Sequence, residues 1–215
     1  MPSTSQLAMF PLGLVTYPTV GLNLHIYEER YRQLIADAQT QNITFGIAPV
    51  LENGEMQSVG TEMRLASIEK TYEDGRLDIK TLGIRRFKVL DMQIVTPGKL
   101  YGSATVEFLE TDYEGDHELY QVILEQIQLI FDIFQIDKNI PANDSNLNTF
   151  KLISQAALNI DQELELIKID TEVNRQLYII DHLNIFIPKA QEMEAMRKKV
   201  QMNGHFRNLI PPNLS

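Results

Sequence analysis

MFPLGLVTYP, residues 9–18, carries more hydrophobic bulk than an amino-terminal arm needs. We expect most of this segment to form an early strand in a hydrophobic core. We expect part of it to line an exposed groove, because sizeable exposed apolar patches on soluble proteins usually bind something. Tyr17 and Pro18 leave the segment at a predicted loop, so they are candidate polypeptide-binding residues.

The sequence that follows is typical of short strands joined by tight turns. Asn53-Gly54, Asp74-Gly75 and Pro97-Gly98 suit the positive φ angles of such turns. Polar and apolar residues alternate over 77–81 and 104–108, which predicts strands with one face on a core and one face in water. The first 115 residues therefore predict a β-rich lobe.

One helix is predicted within this lobe, from Glu28 to about Gln41. Its apolar residues recur at helical spacing and predict a single buried face. They are Tyr31, Leu34, Ile35 and Ala38. A helix among several hairpin strands favours a β-rich barrel or sandwich.

Beyond residue 115 the periodicity becomes helical, and we predict a small helical bundle over 116–201 and an irregular tail over 202–215. Helices are predicted at 117–134, 150–158, 163–169 and 172–187, with a loop at 138–148. Pro188 lacks an N–H donor, so it is predicted to end or kink the last helix, with a further helix over 189–201. The fold class is therefore α+β.

Composition and charge exclude several classes of function. The net charge of −10 disfavours nucleic acid and anionic membrane surfaces as partners. No apolar run approaches the ~20 residues that span a bilayer. The absence of cysteine excludes disulfides and thiolate metal sites, and it fits a cytoplasmic location.

No motif in the sequence indicates catalysis, a bound cofactor or a metal. There is no phosphate-binding glycine loop, no G-x-S-x-G elbow and no short metal-binding histidine spacing, so the four histidines are predicted to be surface or structural residues. Arg85 and Arg86 either contact a small anion or partner, or form a strand that exposes one arginine and pairs the other with an acid. The second interpretation is favoured.

The methionines near the carboxyl end are the other candidate binding residues. Met193 and Met196 share one side of a predicted helix, and methionine surfaces adapt to varied partners. Ordinary helix packing is the simpler interpretation of the same spacing.

An ordered set of short motifs resembles the amino-terminal, substrate-binding domain of the Lon family of ATP-dependent proteases. The set comprises Phe10-Pro11-Leu12, Tyr17-Pro18, Glu29-Arg30-Tyr31, Phe45-Gly46, Val59-Gly60-Thr61 and Gly83 with Arg86-Phe87. The resemblance covers roughly residues 7–200. It implies a PUA-like pseudobarrel lobe followed by a helical bundle, in a standalone member that lacks the ATPase and peptidase domains.

The resemblance further implies a non-enzymatic module that binds unfolded or tagged polypeptides in protein quality control, and possible cooperation with a protease. Two alternatives stay open. One is a PUA-like regulatory protein that binds a small molecule or nucleic acid, through a deep pocket or a basic stripe of Arg64, Lys80, Arg85 and Lys88. The other is an enzyme whose site the sequence does not reveal.

Overall fold

The computed structural model describes residues 4–138 and 147–206, the last five of them without side chains. Six strands come first along the chain, with one helix among them. The strands are β1 (Thr4–Met9), β2 (Gly21–Ile26), β3 (Phe45–Ile47), β4 (Val59–Thr71), β5 (Leu77–Gln93) and β6 (Gly102–Phe108). The helices are α1 (Glu29–Gln41), α2 (His117–Phe134), α3 (Thr149–Leu152), α4 (Ile160–Leu166) and α5 (Glu172–Phe206). A 3₁₀ turn, Ile153–Gln155, follows α3. The predicted α+β class, with a β-rich lobe that contains one helix, is confirmed.

The six strands form one sheet that closes on itself. Their order is β2-β5-β4-β3-β1-β6, and β6 also pairs with β5. Five strands therefore make a closed ring, and closure removes the open edges that those strands would otherwise carry. Strand β2 lies outside the ring and pairs with β5.

Strand β5, 17 residues long, makes this closure possible because it serves three neighbours. Its pairing with β4 shifts register at several points. One shift leaves Ile84 without a partner, because Glu62 pairs with Arg85 and Met63 pairs with Gly83. Such bulges bend a strand and increase its twist.

The predicted turns are confirmed at their glycines. Gly54, Gly75 and Gly98 have φ angles of 83°, 83° and 76°, a region that side chains with a Cβ rarely adopt.

One hydrophobic core cluster lies between α1 and the sheet. The predicted inward face of α1, including Leu34 and Ile35, is fully buried. The ring of Tyr31 stacks on Phe10 with centroids 3.9 Å apart, and Phe45 lies beside Phe10. The apolar segment 9–18 therefore anchors the helix to the sheet.

The expectation that residues 9–18 form a strand is correct only at its first residue. Strand β1 ends at Met9, and Leu12 makes an isolated bridge with Pro49. The remainder is irregular yet largely buried, including Val15 and Tyr17. Two prolines remove N–H donors from this segment, which limits its use in a ladder.

The chain divides into two compact units. Unit 1 comprises Met1–Glu114 and Asn148–Glu172, and unit 2 comprises Gly115–Leu147 and Val173–Ser215. The sequence placed the whole of 116–201 in one bundle, whereas 148–172 groups with the β-rich lobe. A buried hydrogen bond of 2.6 Å from the Thr149 N–H to the Glu172 carboxylate joins the two ends of this returning segment.

Helix α2 has the predicted bounds, while α5 is longer than predicted. Asp116 caps α2 by accepting from the N–H groups of Glu118 and Leu119. Helix α5 continues through Pro188, so the alternative that this proline ends the helix at 187 is wrong, and the predicted helix at 189–201 is part of α5. Residues 202–206 also belong to α5, which corrects the first part of the predicted irregular tail, and residues 207–215 lie outside the described part.

The two short helical predictions are shifted in the structure. In place of a helix at 150–158, α3 and the 3₁₀ turn span residues 149–155, and α4 begins at Ile160 with a capping box between Asn159 and Gln162. Most of the predicted loop at 138–148 lies outside the described residues.

Candidate functional site

Tyr17 and Pro18 are buried within unit 1. The Tyr17 ring stacks on Phe150 with centroids 5.3 Å apart, and its hydroxyl donates to the main-chain carbonyl of Glu163 at 3.5 Å. Thr19 next to them exchanges side-chain hydrogen bonds with Asn148. Tyr17 therefore contacts segment 148–172, and both candidate residues present little surface to a partner.

Met193 and Met196 lie on the outside of α5 and are 66% and 68% exposed. Val200 and Ile185 are exposed on the same side, because residues spaced three, four, seven and eight apart share a helix face. We call these four residues the α5 stripe. Large apolar side chains grouped in this way on a helix surface are typical of a binding surface.

An ion pair links two residues of α5 next to the stripe. Arg197 donates through Nε and Nη2 to the two carboxylate oxygens of Glu194, at 2.7 and 2.8 Å. These bonds lower the pKa of the Glu194 carboxyl. Lys198 and Lys199 follow, so the stripe ends in a locally basic segment although the whole chain is acidic.

The opposite side of α5 is buried within unit 2. Leu183, Ile187 and Ala190 are inaccessible or nearly so. Hydrogen bonds link α5 to the neighbouring α2 chain segment, from Gln126 to Asn184 at 2.7 Å and between Gln176 and Asp116. The methionines are therefore presented by a helix whose other face is fixed.

Arg86 is fully buried in unit 1, and the sequence did not reveal most of its contacts. Its guanidinium donates to the main-chain carbonyls of Glu110, Ile167 and Ile169. It also donates to the side chains of Thr111 and Asp170. It thereby joins β5 to the segment after β6 and to the end of the returning segment. The favoured interpretation is confirmed, because Arg85 is exposed and Arg86 pairs with Asp170 at 2.9 Å, but the bonds from Arg86 to the three carbonyls were not predicted.

Arg85, its neighbour, points outward. It pairs with the buried carboxylate of Glu62 at 2.6 Å and lies over the ring of Phe108. Lys80 pairs with Glu69 at 2.9 Å. Two of the four cations in the hypothetical basic stripe are therefore neutralised, which weakens the case for phosphate binding.

Two surface clefts of unit 1 bear on the alternatives that the sequence left open. One, of about 460 Å³, is lined by Leu109, Glu110, Thr111, Asp112, Asp170 and Thr171. Its carboxylates would repel phosphate groups. The other, of about 320 Å³, lies beside β2 and is lined by Asn23, Leu24, His25, Glu69, Asp78, Ile79 and Lys80.

His25 belongs to a small hydrogen-bonded cluster at the second cleft. Its Nδ1 lies 2.6 Å from Asp78, and the Tyr72 hydroxyl donates to the other oxygen of Asp78 at 2.7 Å. These bonds lower the pKa of the Asp78 carboxyl. Over residues 4–138 and 147–201, no three histidine or acidic side chains are grouped so as to hold a metal ion.

Within the described part of the chain, none of the helices combines the length and apolar character that crossing a bilayer requires.

Comparison with known proteins identifies the family. Residues 6–194 match a protein family described as the ATP-dependent protease La (LON) substrate-binding domain. A Lon N-terminal domain protein from Xanthomonas campestris has the same fold, with a TM-score of 0.63 and 23% identity over 82% of this chain and 98% of that one. The N-terminal domain of Mycobacterium avium complex Lon protease is also similar, with a TM-score of 0.60 and 17% identity over 84% of this chain and 98% of that one. The chain therefore belongs to the Lon substrate-binding domain family.

Proposed function

We propose that this protein is a non-enzymatic module that binds unfolded or tagged polypeptides in cytoplasmic protein quality control, and that it presents them to a protease. Membership of a substrate-binding family supports the binding role. The observation that carries the proposal is the α5 stripe, with Met193 and Met196 exposed beside a fixed helix face.

The chemistry of the stripe suits a varied set of partners. Methionine is unbranched and polarisable, so its side chain adapts to irregular apolar surfaces. Unfolded chains expose apolar side chains in no fixed arrangement. They therefore favour a receptor whose side chains can repack, rather than a rigid pocket. The basic residues Arg197, Lys198 and Lys199 would attract acidic positions that flank such apolar segments.

Charge makes nucleic acid a less suitable partner than polypeptide. The chain carries a net charge of −10, and Lys80 and Arg85 are already paired with carboxylates. The cleft of about 460 Å³ in unit 1 is bordered by acids. The charge of the chain therefore disfavours a phosphate backbone as partner.

Replacing Met193 and Met196 together by glutamate should weaken polypeptide binding at least about tenfold, since polar groups on the stripe would have to lose water on binding. The measurement is fluorescence anisotropy with labelled α-lactalbumin that has been reduced and carboxymethylated and therefore stays unfolded. Thermal unfolding should be nearly unchanged, because both side chains are exposed.

The matched control is the double variant Gln191→Glu and Ala195→Glu. Both positions are exposed on α5 away from the stripe, and the variant carries the same added charge. It should bind as the unaltered protein does. Equal weakening by both variants would mean that charge alone acts, and the proposed role of the stripe would be lost.

A further inference from the structure

Strand β2 has one open edge. It pairs with β5 over all six of its residues, from Gly21 opposite Leu82 to Ile26 opposite Leu77. Among the described residues it has no second strand partner, whereas each other strand pairs with at least two neighbours over part of its length. Its second side therefore offers unpaired main-chain groups.

The hydrogen-bond pattern indicates which groups these are. The Gly83 N–H donates to the Val20 carbonyl at 3.0 Å, which continues the β2–β5 register by one residue. In an antiparallel pair, residues alternate between bonding the partner strand and facing away from it. Leu22, Leu24 and Ile26 therefore bond β5, and the N–H and C=O groups of Gly21, Asn23 and His25 face outward.

The burial of β2 agrees with this assignment. Gly21, Asn23 and His25 are exposed, while Leu22 and Leu24 pack against the core cluster under α1. Natural edge strands are commonly blocked by proline, lysine or a bulge. The sequence GLNLHI has neither proline nor lysine, and its pairing with β5 shows no register shift.

The surroundings of the edge suit an extended chain with alternating side chains. The cleft of about 320 Å³ opens on the face of β2 that carries Asn23 and His25. Side chains of an added strand that project on this face would lie at its rim. At the Ile26 end, Tyr27 is 64% exposed, and its ring stacks on His25 with centroids 6.5 Å apart, which provides an aromatic surface for one apolar side chain.

We propose that β2 binds an extended segment of an unfolded polypeptide as an added strand, held by the outward main-chain groups of Gly21, Asn23 and His25. This inference rests on the proposed polypeptide-binding function and assigns it a second, backbone-directed subsite in unit 1. Main-chain recognition is independent of sequence, so it suits a receptor for many unfolded chains. A second copy of this chain is a poorer occupant, because each copy carries a charge of −10.

Substitution of the outward-facing N–H tests the proposal. Asn23→Pro removes that donor and places a ring against an incoming strand, but it removes no bond to β5. Asn23→Ala is the matched control, because it keeps the N–H and changes only the side chain. The probe is a fluorescein-labelled peptide of about ten residues that contains a Val-Thr-Val-Thr-Val segment, sufficient to cover an edge strand of ordinary length. We expect Asn23→Pro to bind it at least about tenfold more weakly and Asn23→Ala to bind it within about twofold of the unaltered protein.

Amide hydrogen exchange on the unaltered protein gives a second readout that needs no variant. Adding the peptide should slow exchange at Asn23 and His25, whose N–H groups face outward. Leu22 and Leu24 should be protected before and after addition, since β5 already binds them.

The outcomes of these experiments distinguish the edge proposal from the proposed function. Slower exchange at Asn23 and His25, with binding lost in Asn23→Pro, supports strand addition. Unfolded α-lactalbumin that binds the unaltered protein, with these amides unaffected, overturns the edge proposal and leaves the proposed function standing. If the unaltered protein binds neither the peptide nor unfolded α-lactalbumin, both the edge proposal and the proposed function are overturned. A dimer that Asn23→Pro dissociates, with no effect of peptide, would assign the edge to a second copy and overturn the proposal.

Discussion

Replacing Arg86 by methionine should lower the free energy of unfolding by about 3–5 kcal/mol. Methionine fills part of the same volume but offers no donor. The carbonyls of Glu110, Ile167 and Ile169 would lose the guanidinium that now bonds them, in a site with no solvent access to the arginine. A carbonyl that loses its donor costs free energy where water cannot replace the bond, and the bond from Arg86 to Ile167 is buried.

The measurement is urea unfolding followed by tyrosine fluorescence and circular dichroism. Arg64→Met is the control, since Arg64 lies exposed on β4 and surface changes usually alter stability by less than about 0.5 kcal/mol. A loss below about 1 kcal/mol for Arg86→Met would show that these carbonyls find other partners, and the role assigned to Arg86 would be wrong.

Replacing Gly83 by alanine should cost about 3 kcal/mol or more, since overpacking against fixed backbone has no inexpensive relief. A Cβ at Gly83 would overlap the carbonyl oxygen of Tyr17, and it would lie 2.8 Å from the carbonyl carbon and 3.1 Å from the Cα of Pro18. Thr19 donates to the Gly83 carbonyl at 2.9 Å, so the crossing segment cannot move away without losing that bond.

Gly21→Ala is the matched control for Gly83. A Cβ there would meet the Thr81 carbonyl oxygen at 3.6 Å, an ordinary contact. Thermal unfolding of the two variants should therefore differ widely, with Gly21→Ala close to the unaltered protein. Similar melting temperatures for both would contradict the close approach of Tyr17 and Pro18 to β5.

Local signals explain the parts of the fold that the sequence predicted well. The bounds of α2 follow from an uninterrupted apolar face and from Asp116, whose carboxylate caps the first turn. The inward face of α1 and the three glycine turns are likewise set by residues close in sequence. Gly83 differs from these, since it is required by a contact with Tyr17 and Pro18, which lie far from it in sequence.

Tertiary packing explains why α5 was predicted incorrectly. Pro188 removes one helical hydrogen bond, which costs about 3 kcal/mol in a helix interior. Leu183, Ile187 and Ala190 are buried on both sides of it, so a continuous helix keeps more apolar surface from water than a broken one. The sequence shows that these residues are apolar, but it does not show that all of them pack against one surface.

The position of Arg86 was hidden by a bulge. Strict alternation would place Ile84 and Arg86 on the same face of β5, but Ile84 has no partner in β4 and the faces change there. Ile84 and Arg85 are consequently both exposed, and Arg86 is buried. A register shift depends on the partner strand, so β5 alone could not reveal it.

The candidate site was predicted in part. Met193 and Met196 are exposed, as a binding surface requires, and their role stays a proposal. Tyr17 is buried because residues 148–172 return to the β-rich lobe, and its contact with Glu163 spans 146 positions. The open edge of β2 depends on strand order, which no local pattern contains.

The proposed binding of unfolded polypeptide can be measured by titrating this protein into labelled α-lactalbumin in two forms. One form is native and the other is reduced and carboxymethylated. We expect saturable binding of the unfolded form at micromolar concentration and no binding of the native form. Absence of binding to the unfolded form, or equal binding to both, would contradict it.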